Sequence, residues 1–352
     1  MSGPDAHQSR VPACGRAVIR DVAVSLPEST VTNDDLLAAL PAPKASLLAR
    51  RAGVEQRHIA GPGQTALDLG EAACRELFAG HADLAEQIDI LVFCTQTPDH
   101  PLPPNSCALH GRLGLSDQVM SFDVPHACSA FVYALQLVDA LFQAAAGTNA
   151  LIVTADTYSS LISAEDRATR VLFGDGAAAT WLSTSSEPER GAIDFRCGTD
   201  GKGFSAFMVP AGGTRMPVTD AVRADKSIDN SGNARTPAHI AMNGQEILTF
   251  VGARMPDSIK GLLARNELQL DDLDLLVFHQ ASAVVLDTLT MRLGVDPDRV
   301  VRSLQLTGNT VSASIPMTLH QALGDGRLAP GDLVLLCGFG AGLSWGSALV
   351  RW

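Results

Sequence analysis

Ile88-Asp89-Ile90-Leu91-Val92-Phe93-Cys94 returns as Leu273-Asp274-Leu275-Leu276-Val277-Phe278-His279, 185 residues further on. Asp, Val and Phe hold the same places in both copies. Apolar side chains occupy consecutive positions rather than alternate ones, the mark of strands covered by helices on both faces. Further on, Ala150-Leu151-Ile152-Val153-Thr154 is echoed by Leu333-Val334-Leu335-Leu336-Cys337. With Ala177 to Leu182 and Ser347 to Trp352, and with Ala-rich helical stretches between them, these runs predict a layered α/β protein made of two similar halves. Two buried strands can also resemble each other by chance, and it is the shared order of elements that favours duplication. The polar stretch Ser183 to Gly191 has the composition of a link, so the halves are expected at 1–187 and 188–352. Pro210 to Pro237, without periodicity, is expected to form a flap over a cleft.

The 352 residues are 46% hydrophobic and 18% charged, ample for a large core. A net charge of -12 argues against general affinity for nucleic acid or anionic membrane. With no signal-like start and no long apolar span, a cytoplasmic protein is expected. The seven cysteines form no CxxC pair, which speaks against a disulfide framework or a zinc ribbon. Cys94, His100, Cys107 and His110 lack the tight first pair of a metal site, so no metal is expected.

One cysteine stands out. Cys128 follows Phe122 to Ala127 and opens Ser129 to Ala146, an almost wholly apolar helical stretch ending at Gly147. At a helix N-terminus unpaired N–H groups and the dipole favour thiolate, predicting a lowered pKa and a nucleophile. The competing reading is a small buried hydrophobe. Adding 181 to Cys128 reaches Asn309, and His279 ends the repeated strand. If the halves pack about a pseudo-twofold axis, Cys128, His279 and Asn309 meet at the middle, with His and Asn as donors to a carbonyl oxygen while the thiol holds an acyl group. Gly338-Phe339-Gly340-Ala341-Gly342 follows a strand, but too little chain remains for a dinucleotide-binding unit; its small residues are expected to let backbone N–H approach an oxyanion.

Four motifs together resemble the β-ketoacyl-acyl carrier protein synthase III family of the thiolase superfamily. They are Ala127-Cys128-Ser129-Ala130-Phe131; Asp166-Arg167 with Phe173-Gly174-Asp175-Gly176-Ala177-Ala178; His279-Gln280-Ala281; and Gly308-Asn309-Thr310 with Gly340 to Ala348. The resemblance implies a thiolase-like five-layer αβαβα fold, a homodimer and a Cys128, His279, Asn309 triad. It also implies an oxyanion site from the N–H groups of Cys128 and Ala341. Cys128 would take an acyl group from acyl-CoA or acyl carrier protein, then condense it with a malonyl thioester, in fatty-acid or in specialised (polyketide-type) metabolism. No metal or redox cofactor is implied; CoA or phosphopantetheine enters as part of the substrate. Substrate contacts are implied at Arg51, Arg167, Ser282, Phe339 and Leu102, with Leu102 and Val209 to Pro217 shaping the tunnel.

Departures from the family pattern are Ala130 for its glycine, Ser282 for its asparagine, Leu47 for its adenine-stacking tryptophan and Val284 for its carrier-docking arginine. Carrier docking is therefore expected at Arg50, Arg254, Lys260 or Arg265. These departures keep open transfer of the acyl group to a hydroxyl or amine of a small metabolite. A third reading is a non-catalytic subunit shaping a partner's tunnel, which would have little reason to keep the full triad.

Overall fold

The computed structural model describes residues 15–39, 45–185, 187 and 190–352. Cys14 lies outside them.

Nine strands form the two main sheets: β1 (Arg16–Ser25), β2 (Ile90–Cys94), β3 (Met120–Val124), β4 (Asn149–Asp156), β5 (Gly176–Ser185), β6 (Gly191–Thr199), β7 (Leu275–Phe278), β8 (Leu333–Gly340) and β9 (Ser344–Arg351). The first sheet runs β1-β5-β4-β2-β3 and the second β7-β8-β9-β6. In both, a parallel pair (β2 with β4, β7 with β8) is followed by two antiparallel steps to the strand that opens the half. β2 thus corresponds to β7, β4 to β8, β5 to β9 and β1 to β6, the equivalence expected from the repeated strands. Only a parallel bridge, Leu276 with Val300, stands where β3 would have its counterpart.

The repeated aspartate does the same work twice. Asp89 Oδ2 accepts from the N–H groups of Thr148 and Asn149 at 2.7 and 3.0 Å, and Asp274 Oδ2 from that of Leu333 at 2.7 Å. Each carboxylate pins the start of the neighbouring parallel strand, satisfying donors that the ladder has not yet reached.

Helices α1 (Ala45–Ala52), α2 (Ala66–Gly80), α3 (Asn105–Leu113), α4 (Ala130–Gln143), α5 (Gly244–Arg265), α6 (Ala283–Leu293) and α7 (Ser314–Gly324) supply the other layers. Alternate residues of each strand face opposite ways. Ile90, Val92, Cys94, Val277, Val334 and Leu336 pack inward with α4 and α7 between the two sheets. Leu91, Phe93, Leu151 and Val153 pack outward under α2. Leu276, Phe278, Leu335 and Cys337 pack outward under α5 and α6. This is a five-layer αβαβα sandwich, and with both strand faces buried the continuous apolar runs are explained.

Two boundaries differ from expectation. Ser183 to Ser185 complete β5, paired with Arg16 to Val18 of β1, so the stretch between the sheets is shorter than its polar composition suggests. The nucleophile helix covers Ala130–Gln143 rather than Ser129 to Ala146, because the chain turns early, with Ala145 at φ 59°. Pro210 to Pro237 contains a short helix, Asp220–Ala224, and a ribbon of Ser227–Ile228 with Ala234–Arg235. Among the described residues no helix is long and apolar enough to cross a membrane.

Candidate active site

Cys128 lies in the turn between β3 and α4, two residues before the first helical residue, and is only 2% exposed. The end of β8 runs beneath it. A Cβ added to Gly340 would come within 3.0 Å of the Cys128 Sγ, and one on Gly338 within 2.7 Å of its carbonyl oxygen, so both positions need glycine for this close passage. A hydroxyl relay ties the two segments. Ser344 donates to the Ala341 carbonyl at 2.8 Å, leaving the Ser344 oxygen to accept from Ser129 at 2.8 Å. The backbone of Ala341, from the second sheet, is thereby held in register with the nucleophile's turn from the first.

His279 continues β7, its N–H donating to the carbonyl of Cys337 on β8 at 2.8 Å. Its ring is 1% exposed, meets Phe339 edge-on at 5.5 Å, and has Nδ1 2.7 Å from Ser314 Oγ. Burial pushes the imidazole pKa down to about 3, so the ring is neutral. Ser314 Oγ also accepts from the Gln280 N–H at 3.4 Å, and its own proton has Nδ1 as partner. The reverse arrangement would strand a buried hydroxyl proton, so Nε2 carries the imidazole hydrogen.

Asn309 is clamped by the opposite half. Its N–H donates to the Leu172 carbonyl at 2.8 Å, and its carbonyl accepts from Gly174 at 3.1 Å. Gly308 makes this possible with φ +70° and a Cβ position 3.0 Å from the Leu172 oxygen. The side-chain Oδ1 accepts from the Val311 N–H at 2.9 Å, which aims Nδ2 away; Nδ2 is 3.5 Å from the Ala281 carbonyl. Val311 packs in one buried group with Ala127 and Cys128. All three residues are nearly fully buried; Cys128 packs against Gly340 near the end of β8 and His279 against Phe339 of the same strand, while Asn309 is tied to Val311 of the buried group around Cys128.

The thiol's pKa runs opposite to expectation. Burial pushes it well above the usual thiol value, and the nearby Asp156 carboxylate pushes it further; hydrogen bonding to its own backbone N–H only partly offsets them. A turn position ahead of the helix, closed over by apolar side chains, gives little of the dipole benefit.

Asp156 is itself fully buried. Burial raises its pKa to about 7 against the N–H of Gln96 and the N–H and hydroxyl of Ser312, which favour the anion. In an unfolded chain it would ionise near pH 4, so between about 4 and 7 the folded state binds more protons and stability falls as pH rises. Asp156→Asn should flatten that slope, seen as urea midpoints that converge between about pH 4 and about pH 8. A variant with the wild-type pH slope would count against this assignment.

A cleft of about 690 Å³ opens beside the site, lined by Gln96, Asp123, His126, Tyr158, Leu161, Phe207, Ile240, Ala341 and Gly342; Cys128, His279 and Asn309 do not line it. Val209, Ala211, Gly212 and Gly213 also line it, so the start of the Pro210 to Pro237 segment borders the cleft, while the rest of that segment does not line it. The Arg167 guanidinium donates to the Ser231 carbonyl at 2.8 Å and tethers that segment.

Several expected contacts fall elsewhere. Leu102 is 80% exposed and does not line the cleft of its own chain. Phe339 is buried, its ring edge-on to His279. The Ser282 hydroxyl caps α6 by accepting from the Val285 N–H. Arg51 is exposed on α1, and Arg50 borders a separate cavity with Arg302. Arg265 is paired with Asp194 and Arg254 with Asp200, which leaves Arg50 and Lys260 as the exposed cations of that expected set without a salt bridge among the described residues. Cys94, His100, Cys107 and His110 form no metal-ligating cluster among the described residues. Tyr158, Phe207, Ser314 and Ser344 were not picked out from sequence.

Comparison with known proteins decides the family. Two family models match, the 3-oxoacyl-acyl-carrier-protein (ACP) synthase III model over residues 122–201 and that family's C-terminal model over residues 263–352. A beta-ketoacyl-acyl-carrier-protein synthase III of Acidiphilium cryptum (strain JF-5) is 35% identical over 337 residues, 96% of this chain and 99% of the relative. The chain belongs to the 3-oxoacyl-acyl-carrier-protein synthase III family. Among solved structures, a 3-oxoacyl-(acyl-carrier-protein) synthase III is 39% identical and superposes with a TM-score of 0.93 over 96% of this chain and 100% of its own. A 3-oxoacyl-(acyl-carrier protein) synthase from Burkholderia xenovorans LB400 is 32% identical, with a TM-score of 0.87 over 95% and 93%. The family is one of condensing acyltransferases with the thiolase-like fold, and the chain is an enzyme of that class.

Proposed function

We propose that the enzyme moves an acyl group from a CoA or carrier-protein thioester onto Cys128 and joins it to a malonyl thioester by decarboxylative Claisen condensation. The reading is supported by a buried thiol packed against Gly340 of β8, with the His279 backbone bonded to that same strand and its ring, like the Asn309 amide, oriented as a neutral donor by its hydrogen-bond partner.

In the first step Cys128 Sγ attacks the acyl carbon, the carbon–sulfur bond to the carrier breaks, and the thiol proton leaves with the carrier thiol. The N–H groups of Cys128 and Ala341 stabilise the intermediate oxyanion. In the second, His279 and Asn309 hydrogen-bond the malonyl thioester oxygen. The carbon–carbon bond to the carboxylate breaks, carbon dioxide departs, and its electron pair passes into an enolate held by those donors. The enolate carbon attacks the acyl-cysteine; Cys128 leaves as thiolate and is reprotonated. A neutral imidazole suits this role, since it donates without needing a charge that burial opposes. The electron sink is the thioester oxygen itself, so the step calls for no metal or redox cofactor.

Arg51 and Arg167 are retained as contacts to the thioester carrier, and the protein is read as a cytoplasmic homodimer in which each chain has halves 1–187 and 188–352. Carbon dioxide release from malonyl thioester on the acylated enzyme tests the reaction. Stoichiometric release with β-ketoacyl product is expected; acyl loss to a hydroxyl or amine acceptor without carbon dioxide would replace condensation by simple transfer.

A further inference from the structure

Tyr158 and Phe207 belong both to the buried group around the nucleophile and to the lining of the cleft. Tyr158, Phe173 and Phe207 pack on one another with ring centroids 5.4 Å (158 to 173), 6.4 Å (158 to 207) and 6.0 Å (173 to 207) apart. All three share a buried group with Ala127, Cys128 and Val311. Tyr158 and Phe207 also line the 690 Å³ cleft, so each contributes to the wall between it and the thiol. The proximity is also felt electrostatically: burial first, then the Asp156 and Cys128 charges, push the Tyr158 phenol well above its ordinary range.

Tyr158 is held at its far end. Its hydroxyl, in a residue 3% exposed, donates to Gln96 Oε1 at 2.7 Å. Gln96 Nε2 donates in turn to the Pro125 carbonyl at 3.3 Å, three residues ahead of the nucleophile. One exposed amide thus links the phenol to the turn that carries the thiol. A ring that swung aside would leave its hydroxyl without this partner and break both aromatic contacts, so the wall resists opening.

We propose that Tyr158, latched by Gln96, sets the length of acyl group that Cys128 accepts. This rests on the reading of Cys128 as the acyl carrier. Short groups such as acetyl fit in front of the ring. A longer straight chain such as octanoyl must displace the ring to reach the cleft, and removal of the latch admits it.

The test is the ratio of kcat/KM for acylation by octanoyl-CoA over acetyl-CoA, followed by intact-protein mass spectrometry on the full chain. Wild type is expected to favour acetyl. Tyr158→Leu, which removes ring and latch together, should raise the ratio by roughly tenfold or more. Tyr158→Phe and Gln96→Met, which keep a ring but free it, should raise it by a smaller factor in the same direction. A general packing defect would slow both donors alike and leave the ratio where it was. The proposal is overturned if wild type takes octanoyl as readily as acetyl, or if the ratio stays put in Tyr158→Phe and Gln96→Met while acetylation persists. Absence of any label on wild-type Cys128 across the panel would instead bring down the acyl-enzyme reading, and the length latch with it.

Discussion

Cys128→Ala is expected to abolish the acyl adduct and to lower condensation by at least about 10⁴-fold, in line with removal of nucleophiles from other covalent catalysts. The reason is geometric. The remaining cysteines near the core cannot substitute: Cys94 packs between the sheets and Cys337 under α5 and α6, neither in the buried group that holds Ala127, Cys128 and Val311. Intact-protein mass spectrometry with a labelled acyl-CoA reads the loss directly, and a persisting adduct of the same mass in the alanine variant would locate the chemistry elsewhere. Decarboxylation need not fall with it. His279 and Asn309 remain in place, so slow carbon dioxide release from malonyl thioester without product is the accompanying expectation.

The second large effect belongs to the imidazole. His279→Ala should cut decarboxylation by about 10²–10³-fold, the range found when one donor to a developing oxyanion is lost. Cysteine acylation should change far less, because the first oxyanion is assigned to backbone N–H groups. Ser314→Ala provides the sharper control. It keeps the ring but removes the hydroxyl that holds Nδ1, so part of the population would carry hydrogen on Nδ1 and present Nε2 as an acceptor. A fall of about tenfold in carbon dioxide release is expected, with acylation preserved and with Ser314→Thr restoring activity where its methyl fits. Equal losses in both half-reactions for both variants would mean that His279 serves the first step as much as the second.

Much of the architecture was readable before any coordinates, for a definable reason. Strands sealed on both faces leave uninterrupted apolar runs, and an aspartate pinning the next parallel strand recurs because the same unpaired donors recur. Matching the two copies is what singles out Cys128, His279 and Asn309 as one candidate set. What stayed hidden depends on packing between segments far apart in the chain. The direction of the thiol shift is set first by burial among apolar side chains and then by Asp156, rather than by the adjacent helix. Leu102 and Phe339 have apolar side chains suited to a tunnel, yet one points outward and the other supports the imidazole from behind. Ser314 and Ser344 look like ordinary small polar residues, and only their partners reveal a role. Tyr158 left one faint signal: it is one of only two tyrosines in the chain and stands two residues beyond the end of a buried strand.

The hydroxyl relay from Ser129 through Ser344 to Ala341 spans the seam between the sheets. In the proposed reaction neither lobe therefore owns the chemistry: one would contribute the sulfur and its own N–H, the other His279, Asn309 and the Ala341 N–H. A polypeptide severed at Glu187 would yield two fragments, each with a complete sheet and each inert alone. Activity regained on mixing them would measure how faithfully the interface re-forms.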